Sequence, residues 1–339
     1  MKHPSPKSYL QVYRGTILLL LAVALFAVVS RGRLSYLLNL AQLCAIYTII
    51  ATGLTLLMGY TGQVSLGHAG FYAIGAYAAA LAVQRLGLGL WLALPLGVAA
   101  GAAAALLTGF PLLRLRALYL ALATLCVGLI VYELINRSAI TGGAAGMYDL
   151  PKWTVFGLLN RGPMVQCLFM WLIAAAVLTW AVHLTESPVG RALRAIHSDE
   201  DAAESLGINA YSVKLKVFVA SGALAALAGV VYAFIFSPNY LGPEEFGLML
   251  SVQLVMMVVI GGMGSIWGAV AGSVILTCLR ELISLVGEAL RLSATGKVEQ
   301  LIFGLILVLI MIFSPAGFIP GISKLRIPNT GRETRRGKQ

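Results

Sequence analysis

Two clusters hold the side chains of this 339-residue chain that could bind or react with anything. The first is Gly59-Tyr-Thr-Gly62-Gln63-Val-Ser65-Leu-Gly67-His68-Ala-Gly70-Phe, where an amide, a hydroxyl and an imidazole sit among four glycines. All three groups are neutral hydrogen-bonding groups. They suit weak, reversible contact with a polar solute better than a buried charge, which would be costly to desolvate. The second cluster, Glu186 to Lys216, carries nine charged residues between two uncharged apolar runs, 164–184 and 217–236. Its chemistry is that of a solvated, charged surface.

Nothing in the sequence points to covalent or metal chemistry by this chain. It has no GxxxxGK[ST] phosphate-binding loop, no HExxH and no nucleophile elbow. Cys44, Cys126, Cys167 and Cys278 stand singly in apolar segments, without metal-ligand or disulfide-framework spacing. If ATP drives the function, another polypeptide hydrolyses it, and neither cofactor nor metal is expected here.

The elements that position the clusters are membrane spans. The chain is 59% hydrophobic and 11% charged, against about 25% charged in a soluble domain. Its net charge of +11 needs no nucleic acid, because Lys and Arg gather in cytoplasmic loops of membrane proteins. After a basic tail (1–14), Gly15–Ser30 forms a first span. A signal peptide is the rival reading, but Arg31 and Arg33 follow with no small-x-small cleavage pattern. Residues 34–84 lack Asp, Glu, Lys and Arg and accommodate two crossings. Further spans fall at 86–113, 117–135, 164–184 and 217–236. Region 246–279 is split at 261–265 into two more, and a last span covers 298–318. The expectation is an all-α polytopic membrane protein of ten spans, with eight or nine as alternatives. Both termini are then cytoplasmic, as are the 186–216 loop and the basic tail 319–339, while 137–163 and 237–247 face outward.

Within 186–216, Ser198 and Asp201 have capping-box spacing, Ala202, Ala203 and Leu206 continue a short helix, and Gly207 stops it. Such a helix is either a grip for another protein or an ordinary solvated loop. At 59–71 the glycines predict a broken-helix region. Backbone leaves the helical state at membrane depth only where protein or trapped water satisfies the freed groups. Gly62, Gln63, Ser65, Gly67 and His68 therefore either line a solute path or form a tight turn at the cytoplasmic face, with His68 a packing residue. GMGSIWGA from 262 echoes GQVSLGHA from 62, a degenerate repeat at best. Glu133, at the end of a span, is either a functional intramembrane acid or one that simply reaches the outer interface.

Five stretches in order, GYTGQVSLGHAGFYAIGAY (59–77), LRLRALYLALATL (113–125), TGGAAGM (141–147), GRALRAIHSDEDAAESLGIN (190–209) and VVIGGMGSIWGAVAG (258–272), closely resemble the LivM-type permeases of bacterial branched-chain amino-acid ABC importers. The resemblance covers roughly 34–318. It implies a multi-pass protein of the bacterial inner membrane that forms the path for branched-chain or other hydrophobic amino acids. Its implied partners are a homologous second permease subunit, two cytoplasmic ATPases that use ATP and Mg, and a periplasmic solute-binding protein. It also implies that Gly190, Arg191, Asp199, Glu200, Ala202, Ala203 and Gly207 belong to an ATPase-docking loop. Ala117 stands where the family often has glycine, and His197 and Ser198 where it often has charges, a difference that bears on which ATPase is accepted. Importers of urea or short-chain amides share these motifs and are the alternative within the family. An ion-coupled carrier acting alone is the alternative outside it, but such a carrier needs ionisable residues deep in its spans, and this sequence has almost none.

Overall fold

A computed structural model describes residues 15–21, 23, 35–115, 117–151, 162–289 and 304–305. Of the first expected span only 15–21 and 23 are described, and they are helical; the tenth span, apart from 304–305, and the tails 1–14 and 319–339 lie outside the described residues. Ten α-helices follow: α1 (Ser35–Thr61), α2 (His68–Gln84), α3 (Leu90–Leu112), α4 (Ala117–Arg137), α5 (Pro163–Glu186), α6 (Pro188–Ser198), α7 (Glu200–Ser205), α8 (Ala210–Val231), α9 (Leu248–Gly261) and α10 (Ile266–Ala289). Among the described residues six helices are long and apolar enough to cross a membrane: α1, α3, α4, α5, α8 with its extension to Phe236, and α10. The chain is an all-helical polytopic membrane protein with at least six candidate spans.

In α1, 83% of the most apolar window is buried, against 22% in α3 and α4, so α1 lies at the centre and α3 and α4 at the rim. Beside α1 runs α8, whose Ala/Gly-rich face packs on α1, α2 and α3. Gly229 rests against the Tyr72 carbonyl and Gly101 against the Ala226 methyl. In lipid there is no water to expel, so van der Waals contact between close backbones holds helices together. The hydroxyls of α1 are satisfied locally. Thr48, Thr52 and Thr55 each donate to the carbonyl four residues earlier, and Thr48 also meets Ser273 of α10 at 2.7 Å.

The loops gather at two ends. At one, Met147–Tyr148 (β1) pairs antiparallel with Tyr240–Leu241 (β2), in register Met147 with Leu241. Tyr77 donates to the Leu241 carbonyl at 3.1 Å and Gln84 to that of Tyr148 at 2.7 Å. Both loops expected to face outward thus share one end. Here α8 runs into a π-helical turn, Tyr232–Phe236, where the Tyr232 ring meets Tyr72 at a tilt and Phe246 edge-on. At the other end lie residues 59–67, the 113–115 turn, α6–α7 and the 262–265 turn. Tyr211 donates to the Phe110 carbonyl at 2.7 Å, and Gly59 lies against the backbone of Met263. Glu133 pairs with Arg137 one turn on, at 2.8 Å, and both are exposed.

The 262–265 turn resembles 62–67 only in part. Gly62 and Gly262 both have positive φ (70° and 103°). However, α9 and α10 form a tight hairpin with Gly272 on the Met257 carbonyl, whereas α8 separates α1 from α2. The echo in sequence is a shared way of breaking a helix, not a repeated unit.

Candidate functional site

The site grows from the way α1 ends and α2 begins. α1 stops at Thr61, residues 62–67 carry no helix, and α2 starts at His68. Gly62 makes the turn at φ 70°, a conformation that costs a residue with a Cβ roughly 1–2 kcal/mol. The chain then runs back into the bundle. His68 bonds Ser221 of α8, and Ser221 lies against Gly53 of α1. Gly53 is eight residues before Thr61, so α2 begins about 12 Å inside the end of α1. This explains why α2 has only 17 residues: unwound backbone covers part of the depth that a full span would cover.

Each expected residue of the break has a definite place. His68 is 1% exposed, with Nδ1 2.9 Å from Ser65 Oγ and Nε2 2.7 Å from Ser221 Oγ. Phe71 and Phe218 stand edge-on to its ring. Two hydroxyls, each able to donate or accept, thus satisfy both ring nitrogens. The Leu66 amide donates to Thr124 Oγ1 at 3.1 Å, and Gly67 is pressed against the Thr124 backbone. Gln63 differs from the rest: it is 4% exposed, and neither its amide nitrogen nor its oxygen has a hydrogen-bond partner. A buried, unpaired amide is rare enough in folded proteins to call for an explanation.

Facing the break is the loop between α5 and α8, which is two helices rather than one. α6 begins with Ser187 as cap, accepting from the Val189 amide, and Pro188 in its first turn. These are ordinary helix-start signals, which the sequence reading passed over because charges surround them. α7 is capped by Asp199, whose Oδ1 accepts from the Ala202 amide at 3.0 Å. This corrects the expected Ser198–Asp201 box. Ser198 closes α6 instead, donating to the Arg194 carbonyl at 3.0 Å. Gly207 ends the unit at φ 83° with open space around it, so its role is conformational.

The seven loop residues divide into two groups. Ala203 is buried with Ile196 and Ala210 in a small core that joins α6, α7 and α8. Gly190 is buried against the Thr185 backbone, to whose carbonyl Arg194 donates at 3.0 Å. These two serve the loop's own packing. Arg191, Asp199, Glu200, Ala202 and Gly207 are exposed, with Asp201, Glu204 and Leu206, which is 80% exposed, beside them. Glu200 also forms an ion pair with Lys214 of α8. Sequence reasoning missed the contact of His197 with the break: a Cβ built on Gly62 would lie 2.8 Å from His197 Nδ1. It also missed Ser221, although a hydroxyl inside a Gly/Ala-rich span was a signal.

The arrangement can bind and move but has no reacting set. Among the described residues no Asp, Glu, Lys or Arg is buried, and no group of three metal-ligating side chains occurs.

The family model for the permease component of the branched-chain amino acid transport system matches residues 36–311. The LivM permease protein of the high-affinity branched-chain amino acid transport system of Escherichia coli is 37% identical, over 89% of this chain and 73% of that protein. The LivH permease protein of the same organism is 26% identical, over 85% of this chain and 96% of that protein. The LsrC permease protein of the autoinducer 2 import system of Yersinia enterocolitica is 29% identical, over 92% of this chain and 86% of that protein. No solved structure matches the chain. With most of its length matched, the chain belongs to the family of branched-chain amino acid transport system permeases, the multi-pass membrane subunits of bacterial ABC importers, which are not themselves enzymes and work in complexes whose ATPase activity lies in other subunits.

Proposed function

We propose that this chain forms one half of the translocation path for branched-chain or other hydrophobic amino acids, paired with a homologous second permease. In this reading a periplasmic binding protein delivers the solute, and two cytoplasmic ATPases use ATP and Mg. The chain crosses the membrane ten times with both ends in the cytoplasm. The exposed face of α6–α7, with Arg191, Asp199, Glu200, Ala202 and Gly207, is where an ATPase docks. Gln63, Ser65 and His68, with Gly62 and Gly67, shape the path at the break.

The observation that carries this reading is the juxtaposition of the two clusters. The charged loop folds as a unit with its own core and presents Leu206 and acidic side chains outward, while its inner side touches the break. The exposed charged face and the non-helical break are thus two sides of one contact, which supports this reading. Neutral groups at the break also suit an importer fed by a binding protein, because a tightly held solute would not leave.

Uptake by the complex reconstituted in vesicles tests this. Leucine, isoleucine and valine are measured against other amino acids, urea and short-chain amides, with ATP inside and binding protein outside. ATP-dependent uptake of the branched-chain amino acids is expected. Uptake of urea or amides alone would replace the substrate assignment, and uptake driven by an ion gradient without ATPases would overturn the mechanism. The panel matters because a relative such as LsrC is named for a different solute.

A further inference from the structure

The docking loop and the break are joined at two points, one at each end of the break. His197, in the last turn of α6, stands over Gly62, whose missing Cβ would lie 2.8 Å from the ring nitrogen. Ser221 of α8 holds His68 at 2.7 Å. The loop is tied to the same α8, through Ile196, Ala203 and Ala210 and through the Glu200–Lys214 pair. It is also tied to the end of α5 by Arg194 on the Thr185 carbonyl. Between the two points lies non-helical backbone, which can pivot, and on it sits the unpartnered amide of Gln63. An amide buried without partners gains hydrogen bonds from a small rotation of its segment. A rotation of the segment that gave this amide partners would thus be favoured.

We propose that His197 and Ser221 are the positioning residues that convert movement of the α6–α7 unit into rotation of residues 62–67, turning Gln63 from its buried, unpaired position into the path. Ser221 anchors the His68 end on α8, and His197 pushes the Gly62 end. This goes beyond the docking reading and rests on it. Gly62 is then required for more than its φ, because any side chain there would occupy the place where His197 bears on the backbone.

The test follows a reporter on the break and needs no solute. On a background lacking the four native cysteines, Gln63→Cys is labelled with a membrane-permeant maleimide in the reconstituted complex. The complex is measured nucleotide-free and trapped with ATP and vanadate. The labelling rate should change by about tenfold, as expected when nucleotide moves the accessible form from a few per cent to most molecules. In His197→Ala the change should shrink to about twofold or less, with the ATPases still co-purifying. His197→Gln, which keeps a side chain over Gly62, should recover most of it. His197 is exposed, so both variants should fold. No nucleotide-dependent change at position 63, or a full change in His197→Ala, would overturn the proposal. Leu206→Asp, at the exposed tip, separates the two readings by losing co-purification of the ATPases. Retained co-purification with the full change at 63 would overturn the docking reading while leaving the His197–Gly62 link standing.

Discussion

Gly67→Ala should damage the protein although its backbone is permissive. The φ of Gly67 is −104°, which alanine adopts freely, so the substitution tests close approach alone. Its Cβ would lie 2.9 Å from the Thr124 carbonyl carbon and nearer still to the oxygen. Carbon atoms in contact prefer about 3.5–4.0 Å, so α4 must retreat by roughly 1 Å. Overpacking of this kind costs about 1–3 kcal/mol. The retreat also draws Thr124 Oγ1 away from the Leu66 amide, now 3.1 Å away, and an orphaned buried donor costs about 1–3 kcal/mol more. The expected loss is roughly 2–6 kcal/mol. Gly87→Ala is the control, at φ 62° with nothing within 4 Å, and should cost only about 1–2 kcal/mol of backbone strain. Unfolding in mixed detergent micelles, with uptake at matched membrane levels, measures both. Gly67→Ala as stable and active as Gly87→Ala would refute the close-packed placement of the break.

Uptake by the His197→Gln variant should be flat from about pH 5.5 to 8, the range where an ordinary histidine titrates, because His68 is buried with hydroxyl partners and no carboxylate; a step there would refute its structural role. His68→Gln should keep most uptake, while His68→Leu leaves the Ser65 and Ser221 hydroxyls unpaired at about 1–3 kcal/mol, as unfolding would register. Asp199→Ala should loosen α7 by about 1 kcal/mol, seen as faster proteolysis within 186–216, whereas Ser198→Ala should change little. Single cysteines at 149 and 201 should label from opposite sides of the membrane, and labelling from the same side would overturn the topology.

How much could be read from the sequence depended on whether the determining interaction was local. The break at 62–67 was legible because glycines and polar groups interrupt an uncharged run, and Gly207 because a positive-φ stop falls just after a short helix. α6 was not legible: its buried Leu193 and Ile196 are two apolar residues in a charged stretch, too few to show a period. Missing α6 moved the cap of α7 from Asp199 to Ser198. Apolar run lengths also overstated α2 and α9, with 17 and 14 residues, because they count residues and not helix. The partners of His68 and Gly62 lay furthest from view. Ser221 is 153 positions away, and His197 read as a loop residue of the charged segment, although it stands against Gly62 of the break.

The burial of α8 between α1 and α2 has a consequence for how the chain is made. α1 and α2 leave the ribosome first, and at about 5–20 residues per second the segment bearing Ser221 follows His68 by roughly 8–30 s. Through that interval the imidazole lacks one of its two mature partners, and the first helices lack the one that separates them. They cannot close on each other without shutting out α8, so the nascent bundle must be kept open, its polar groups hydrated or sheltered by insertion machinery. A chain stopped before residue 221 would thus leave a gap between α1 and α2 where α8 belongs.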